Sequence, residues 1–155
     1  MAVTITSPIT GLPQTGFTSP TYTHVADVAP DVNGRQVAVT AVGGTQVGVT
    51  THTSGSPFTI TVVRPKVFKF LGKAHPVTGV IANVPKNVFK QISRKGVLPL
   101  AGQPYQTMIC TTVIEVPAGS DTADAPNVRA CLSAHFGALS QQSAGYGDTA
   151  VTGIM

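Results

Sequence analysis

The chain has 155 residues, of which 42% are hydrophobic and only 10% charged, and its formal net charge is +4. That length suits one domain, and no apolar run approaches the ~18 residues of a membrane span. Charge far below the usual quarter or so of a soluble domain means that much of the surface is buried against other copies or is covered by Thr and Ser. The start, Met1-Ala2-Val3-Thr4-Ile5-Thr6, lacks the basic region and long apolar core of a signal peptide, so the chain is expected to stay in the cytosol. Two cysteines, Cys110 and Cys131, are too few for a disulfide scaffold. They are expected to be small buried thiols rather than a bridge.

Residues 1–20 are rich in Thr, Pro and Gly and carry no charge. They read as an irregular arm with at most one short edge strand. From 21 to 116 the pattern is mostly strand. Thr21–Val28 and Arg35–Val42 flank Pro30-Asp31-Val32-Asn33-Gly34, whose Asn-Gly pair signals a hairpin turn. Gln46–Thr51 reads as a further short strand. In Phe58–Arg64 the residues Phe58, Ile60 and Val62 alternate with Thr59, Thr61 and Val63, as in a half-covered antiparallel sheet. Lys66–Leu71 continues that pattern after Pro65. Gly72–Pro85 is turn-rich, with a short strand expected at Val77–Ala82. Lys86–Lys95 is strand-like, Gly96–Pro104 reads as a loop, and Tyr105–Val116 is the longest strand expected.

The character changes at Pro117-Ala118-Gly119. Asp124 is a suitable helix N-cap, and Pro126 is tolerated in a first turn. The stripe Val128, Leu132, Phe136 and Leu139 follows at helical spacing. A second helix is expected around Asp148–Ile154. Many strands followed by helices indicate an α+β layer arrangement. The amphipathic helix covers an apolar sheet face, which leaves the Thr-rich face exposed.

Charge is segregated along the chain. Nine of the ten Lys and Arg residues lie between Asp31 and Glu115, where there is no carboxylate: Arg35, Arg64, Lys66, Lys69, Lys73, Lys86, Lys90, Arg94 and Lys95. Clustered cations displace counterions from phosphates and bind polyanions without regard to sequence. The other reading is a solubility face, although such faces usually mix signs. No catalytic constellation stands out. The histidines are widely spaced, with no metal-ligand spacing among His, Cys and carboxylates. No catalytic residue, metal or cofactor is expected. Ser93-Arg94-Lys95-Gly96 reads equally as a phosphate clamp or as a strand end turning through glycine. Tyr105 reads as a base-stacking aromatic or as a loop tyrosine packing on the sheet.

The run Thr111-Thr112-Val113-Ile114-Glu115-Val116-Pro117-Ala118-Gly119-Ser120-Asp121-Thr122-Ala123-Asp124, continuing as Asn127-Val128-Arg129-Ala130-Cys131-Leu132-Ser133-Ala134-His135-Phe136-Gly137-Ala138-Leu139-Ser140, resembles the last strand and first helix of coat proteins of single-stranded RNA bacteriophages, the leviviruses. The close, Gln141 to Met155, and the segments Ser56–Val62 and Ile92–Val97 are similar to a divergent branch of these coats. The resemblance implies an N-terminal β-hairpin, a five-stranded antiparallel sheet and two C-terminal helices in an interlocked homodimer. One domain would then fill residues 1–155, with an arm at 1–20, the sheet region at 21–116 and the helices at 124–155. It implies sheets joined edge to edge, with each copy's helices crossing over its partner through Val128, Leu132, Phe136 and Leu139. It further implies an inner face that meets RNA, with Thr59 and Thr61 on it, Lys66, Lys90, Arg94 or Lys95 nearby, and Tyr105 as the stacking aromatic. The dimers of such a family build a T=3-like icosahedral shell around single-stranded viral RNA in the bacterial cytoplasm, and the best-studied ones bind an operator hairpin and repress translation. Gly96–Pro104 holds no cysteine, so the shell crosslinks of some relatives are not expected. A coat protein is therefore the expected function. The rival readings are a dimeric RNA-binding regulator that builds no shell, and a β-rich fibre or appendage subunit.

Overall fold

The computed structural model describes residues 3–155; Met1 and Ala2, the first residues of the expected arm, lie outside the described residues. Six strands form one antiparallel sheet in sequence order: β1 (Ile9–Thr10), β2 (Thr18–Asp27), β3 (Gly34–Thr45), β4 (Phe58–Val63), β5 (Lys86–Val97) and β6 (Gln106–Pro117). Three helices follow: α1 (Ser120–Ala123), α2 (Ala125–Gln141) and α3 (Ser143–Thr152). Five long strands carry the sheet, and β1 adds a two-residue edge. The hairpin read at 21–42 is β2–β3, and it belongs to the sheet itself.

The Asn-Gly signal marks the right place through different chemistry. Gly34 donates its N–H to the Asp31 carbonyl at 2.8 Å. The Asp31 carboxylate accepts both the backbone N–H of Asn33 at 2.9 Å and its side-chain amide at 3.0 Å. The turn is thus held by an aspartate folding onto the chain ahead of it. These bonds, with the field of Lys66, hold the Asp31 carboxyl below its ordinary range.

Several local expectations are overturned. Gln46–Thr51 is not a strand. Gly48 takes a left-handed φ of 82°, and the Gln46 amide folds back onto the carbonyls of Gly43 (2.6 Å) and Thr21 (3.3 Å). Lys66–Leu71 and Val77–Ala82 are not strands either. The first is held by the side chain of Asn87 in place of a neighbouring strand. The second curls around His75, whose Nδ1 accepts the N–H groups of Val77 and Thr78. The last helix begins at Ser143, five residues ahead of the expected Asp148, and runs through Gly145 and Gly147. Asp124 does stand at the N-cap of α2, but its carboxylate takes the Asn127 amide at 2.9 Å instead of a backbone N–H.

The two faces of the sheet follow from alternation and register. Phe58, Ile60 and Val62 share one side with Val37, Val39, Phe89, Lys95, Met108, Cys110 and Ile114. Thr59 and Thr61 share the other with Gln36, Ala38, Lys90, Arg94, Ile109 and Val113. No helix of the chain packs against the apolar side. Among the described residues, the only buried hydrophobic side chains are Ala38, Val39 and Ala118. Helix α2 has no extended contact with any strand; it packs on α1 and α3. Within this chain the helix therefore does not lie on the sheet. Both thiols are exposed rather than buried for the same reason, Cys110 on the edge strand and Cys131 on the unsupported helix. The chain exposes 10836 Å², whereas a self-contained monomer of this mass would expose roughly 7,300 Å².

The helical layer is tied down at its far end by the arm. The Gln14 amide donates to the carbonyl and the hydroxyl of Ser143, both at 2.8 Å. The Thr15 hydroxyl donates to the Asp148 carboxylate at 2.9 Å. Gly147 leaves room for this, since any Cβ there would run into the Gln14 side chain.

Where β2 and β3 slip register, Gly44 has a φ of 72°, and a Cβ on it would strike the carbonyl oxygens of Thr18 and Ser19. Gly44→Ala is expected to destabilise the protein by about 1 kcal/mol or more. A thermal melt would show this as a Tm lowered by roughly 3 °C or more.

Candidate nucleic-acid interface

The polar side of the sheet carries a hydrogen-bond relay across four strands. Arg94 on β5 donates from Nη1 to the Thr61 hydroxyl of β4 at 3.0 Å. Thr61 donates to Gln36 Oε1 on β3 at 2.7 Å. Gln36 donates from Nε2 to Asp27 Oδ2 on β2 at 2.6 Å. Each group donates toward the carboxylate, so the relay runs from a cation to an anion, and its members polarise one another. The Gln36 amide is the largest cause holding the Asp27 carboxyl below its ordinary range, followed by the Val28 N–H.

This relay changes the picture of the threonines. Thr59 and Thr61 do lie on the polar side, but they are 6% and 2% exposed. They form its floor, because longer side chains such as Arg94 and Gln36 reach across them. Arg94 is half-buried, and Lys90, on the same side of β5 four residues earlier, is exposed. Among the described residues the Lys90 ammonium and the remaining N–H groups of Arg94 have no protein partner, so they are available to an anion. The guanidinium is pre-oriented by its bond to Thr61, which lowers the entropy cost of any further hydrogen bond its planar fork makes.

The sequence-defined cation block does not stay together. Lys95 lies on the opposite side, its Nζ 5.1 Å from the centre of the Phe58 ring and 2.8 Å from the Thr50 hydroxyl. Burial holds its ammonium below the ordinary lysine range. Lys66 belongs to the loop after β4, near the Asp31 turn. Lys86 is on the polar side but is paired with Glu115 at 2.9 Å. Tyr105 is 37% exposed and directly precedes β6, two residues before Thr107. The structure thus brings together Thr59, Thr61, Lys90 and Arg94, and separates Lys95 and Lys66 from them.

No family model and no curated protein sequence matches the chain. Among solved structures, a virus-like particle of bacteriophage ESE020 is similar over 99% of this chain and 100% of its own, with 55% sequence identity and a TM-score of 0.97. The chain belongs to the coat-protein family of the single-stranded RNA bacteriophages. A virus-like particle of Beihai levi-like virus 32 is a far more distant likeness, at 12% identity and a TM-score of 0.47 over 86% of this chain and 88% of that one.

For a capsid coat protein the helix stripe matters as much as the polar face. Val128, Leu132 and Leu139 are half-buried and Phe136 is 45% exposed, with no fully buried residue anywhere on α2. Sequence reasoning missed Gln36 and Asp27 as parts of this coat protein's polar face. Their pairing could have been read from the hairpin turn, which sets Asp27 opposite Gln36.

Because the folded pKa of Asp27 lies below its unfolded value, its stabilising share is full above the ordinary carboxylate range. That share is lost as pH falls through the lowered value. An NMR titration of Asp27 should give a midpoint below 3.8, and Gln36→Ala should raise it.

Proposed function

We propose that this coat protein assembles from dimers into a closed shell that packages single-stranded RNA, with the Lys90–Arg94 face turned inward. The observation that carries the reading is the 55% identity, over essentially the whole chain, to the bacteriophage ESE020 virus-like particle. The physical state of the single chain supports it. β6 is a twelve-residue edge strand on which Met108, Ile109 and Val113 are about half exposed. An unpaired edge of that length invites strand addition, and pairing with the β6 of a second copy would satisfy its backbone. The stripe Val128, Leu132, Phe136 and Leu139 would then lie on the partner's apolar side. Roughly 3,500 Å² per chain above the monomer scaling is enough for an interface of the obligate class.

On this reading RNA is held chiefly through its phosphates. Thr61 is engaged on both sides, so contacts that discriminate bases, including those to an operator hairpin, fall to Tyr105 at the mouth of β6. The virion is the final location, and the bacterial cytoplasm the place of assembly.

Negative-stain microscopy of the protein expressed alone in bacteria should show closed particles containing nuclease-protected RNA. A soluble dimer that never assembles when RNA is added would favour the regulator, and filaments independent of RNA the appendage subunit. Lys90→Ala with Arg94→Ala should flatten the salt dependence of RNA binding by about 0.7 log units per cation. Lys95→Ala should leave that slope unchanged. Leu132→Asp should prevent dimer formation in size-exclusion chromatography, because it buries a charge on the helix stripe.

A further inference from the structure

The two edges of the sheet are finished differently. The β6 edge runs for twelve residues with no proline before Pro117 and one charge, Glu115. Among the described residues no strand lies beyond it, and no loop backbone bonds to it. The β2 edge is covered by the N-terminal arm. β1 pairs Ile9 with Tyr22 and Thr10 with Thr21. The Gly11 N–H donates to the Pro20 carbonyl at 2.8 Å. The Ser7 hydroxyl accepts the His24 N–H at 3.1 Å. Residues 7–11 thus lie along β2 from Pro20 to His24.

The arm fits this edge closely. A Cβ on Gly11 would stand 2.8 Å from the Tyr22 ring and 3.0 Å from the Pro20 side chain. On either side of the covered stretch the edge is a poor template for a strand. Ser19, just before it, has a φ of 46° and leaves the extended range. Asp27, beyond it, brings a charge, and its carboxylate takes the Val28 N–H at 2.8 Å. Cover, a local bend, an edge proline and an edge charge are the devices that keep a strand from recruiting another chain. β2 has all four, and β6 has neither the cover nor the bend.

The number of open edges decides what association can build. With one open edge per chain, β6 pairs with β6 isologously, and two copies satisfy each other. With two, the β6 of one copy can also join the β2 of the next, a heterologous contact that repeats without closing. We propose that the arm is an edge guard. Residues 7–11 occupy the β2 edge so that β6 is the one edge offered to a second copy, and pairing of sheets stops at the dimer. Gln14, three residues after Gly11, bonds to Ser143, which keeps the guard within reach of β2. The inference rests on the reading of β6 as the dimer edge.

The test compares the wild type with a deletion of residues 2–10 and with Gly11→Val, both of which keep Gln14 and Thr15. A further protein adds Thr23→Lys and Val25→Lys to the deletion. Both positions are exposed on β2, and edge lysines oppose strand addition. Thioflavin fluorescence and negative stain are recorded in salt high enough to screen RNA. Loss of the guard is expected to raise thioflavin-binding filaments or open arrays by about tenfold or more, and the lysines to reverse this. A deletion variant that stays as discrete as the wild type would overturn the guard. Aggregates that the lysines do not reverse would overturn it as well, since general unfolding would then be their cause. So would a lowered Tm without new assemblies, which would make the arm a simple brace. If circular dichroism shows that the deletion does not fold, Gly11→Val decides by the same readouts. A wild type that forms discrete dimers but no shell sinks the coat reading, and the filament readout still judges the guard.

Discussion

Apolar surface that one chain cannot bury governs the arrangement of the rest. The strands alternate cleanly enough to give the sheet an apolar side, yet the helix that would cover it departs from the β6 edge and stands clear of its own strands. A sheet open on one side with a long bare edge has nothing to hold it flat except hydrogen bonds, which contribute little net stability when water competes for the same groups. Covering that side from outside the chain therefore couples folding to association. Such a protomer would draw its stability from association with other copies.

The polar side obeys a different constraint. Its threonines are buried without any second layer above them, because Gln36 and Arg94 reach sideways across the strands and bond to Thr61. A face built this way is rigid and nearly neutral along the relay, with Asp27 at one end balancing Arg94 at the other. Among the described residues of this face, Lys90 adds net charge that has no protein partner. Attraction for a polyanion would come from many copies each offering a weak site, which suits a lining that holds any sequence.

The sequence disclosed the strand-then-helix order, β4, β5 and β6 almost to the residue, and the start of α2, because alternation and the Pro117–Asp124 break are local signals. It misled where a side chain does the work of a strand. Asn87 stands in for a neighbour along the segment around Lys69, and His75 replaces a pairing partner for Val77 and Thr78. Neither bond leaves a periodic trace. The charge block was equally visible and equally misleading. Lys90 and Arg94 are four residues apart and share a side, whereas Lys95, one residue further on, must face the other way. The thiols were misjudged because burial was inferred as if the chain folded by itself.

The bonds from Gln14 and Thr15 to α3 bear on lifetime rather than strength. They join the N-terminal arm to the last helix of the same chain. Two protomers with their helices passed over one another would then be unable to slide apart as rigid bodies; each clasp would have to open first. The rate at which copies exchange would be set by that small local opening, with the large interface contributing mainly to the equilibrium. A short, uncharged arm with few contacts could in this way make a finished particle slow to lose its parts.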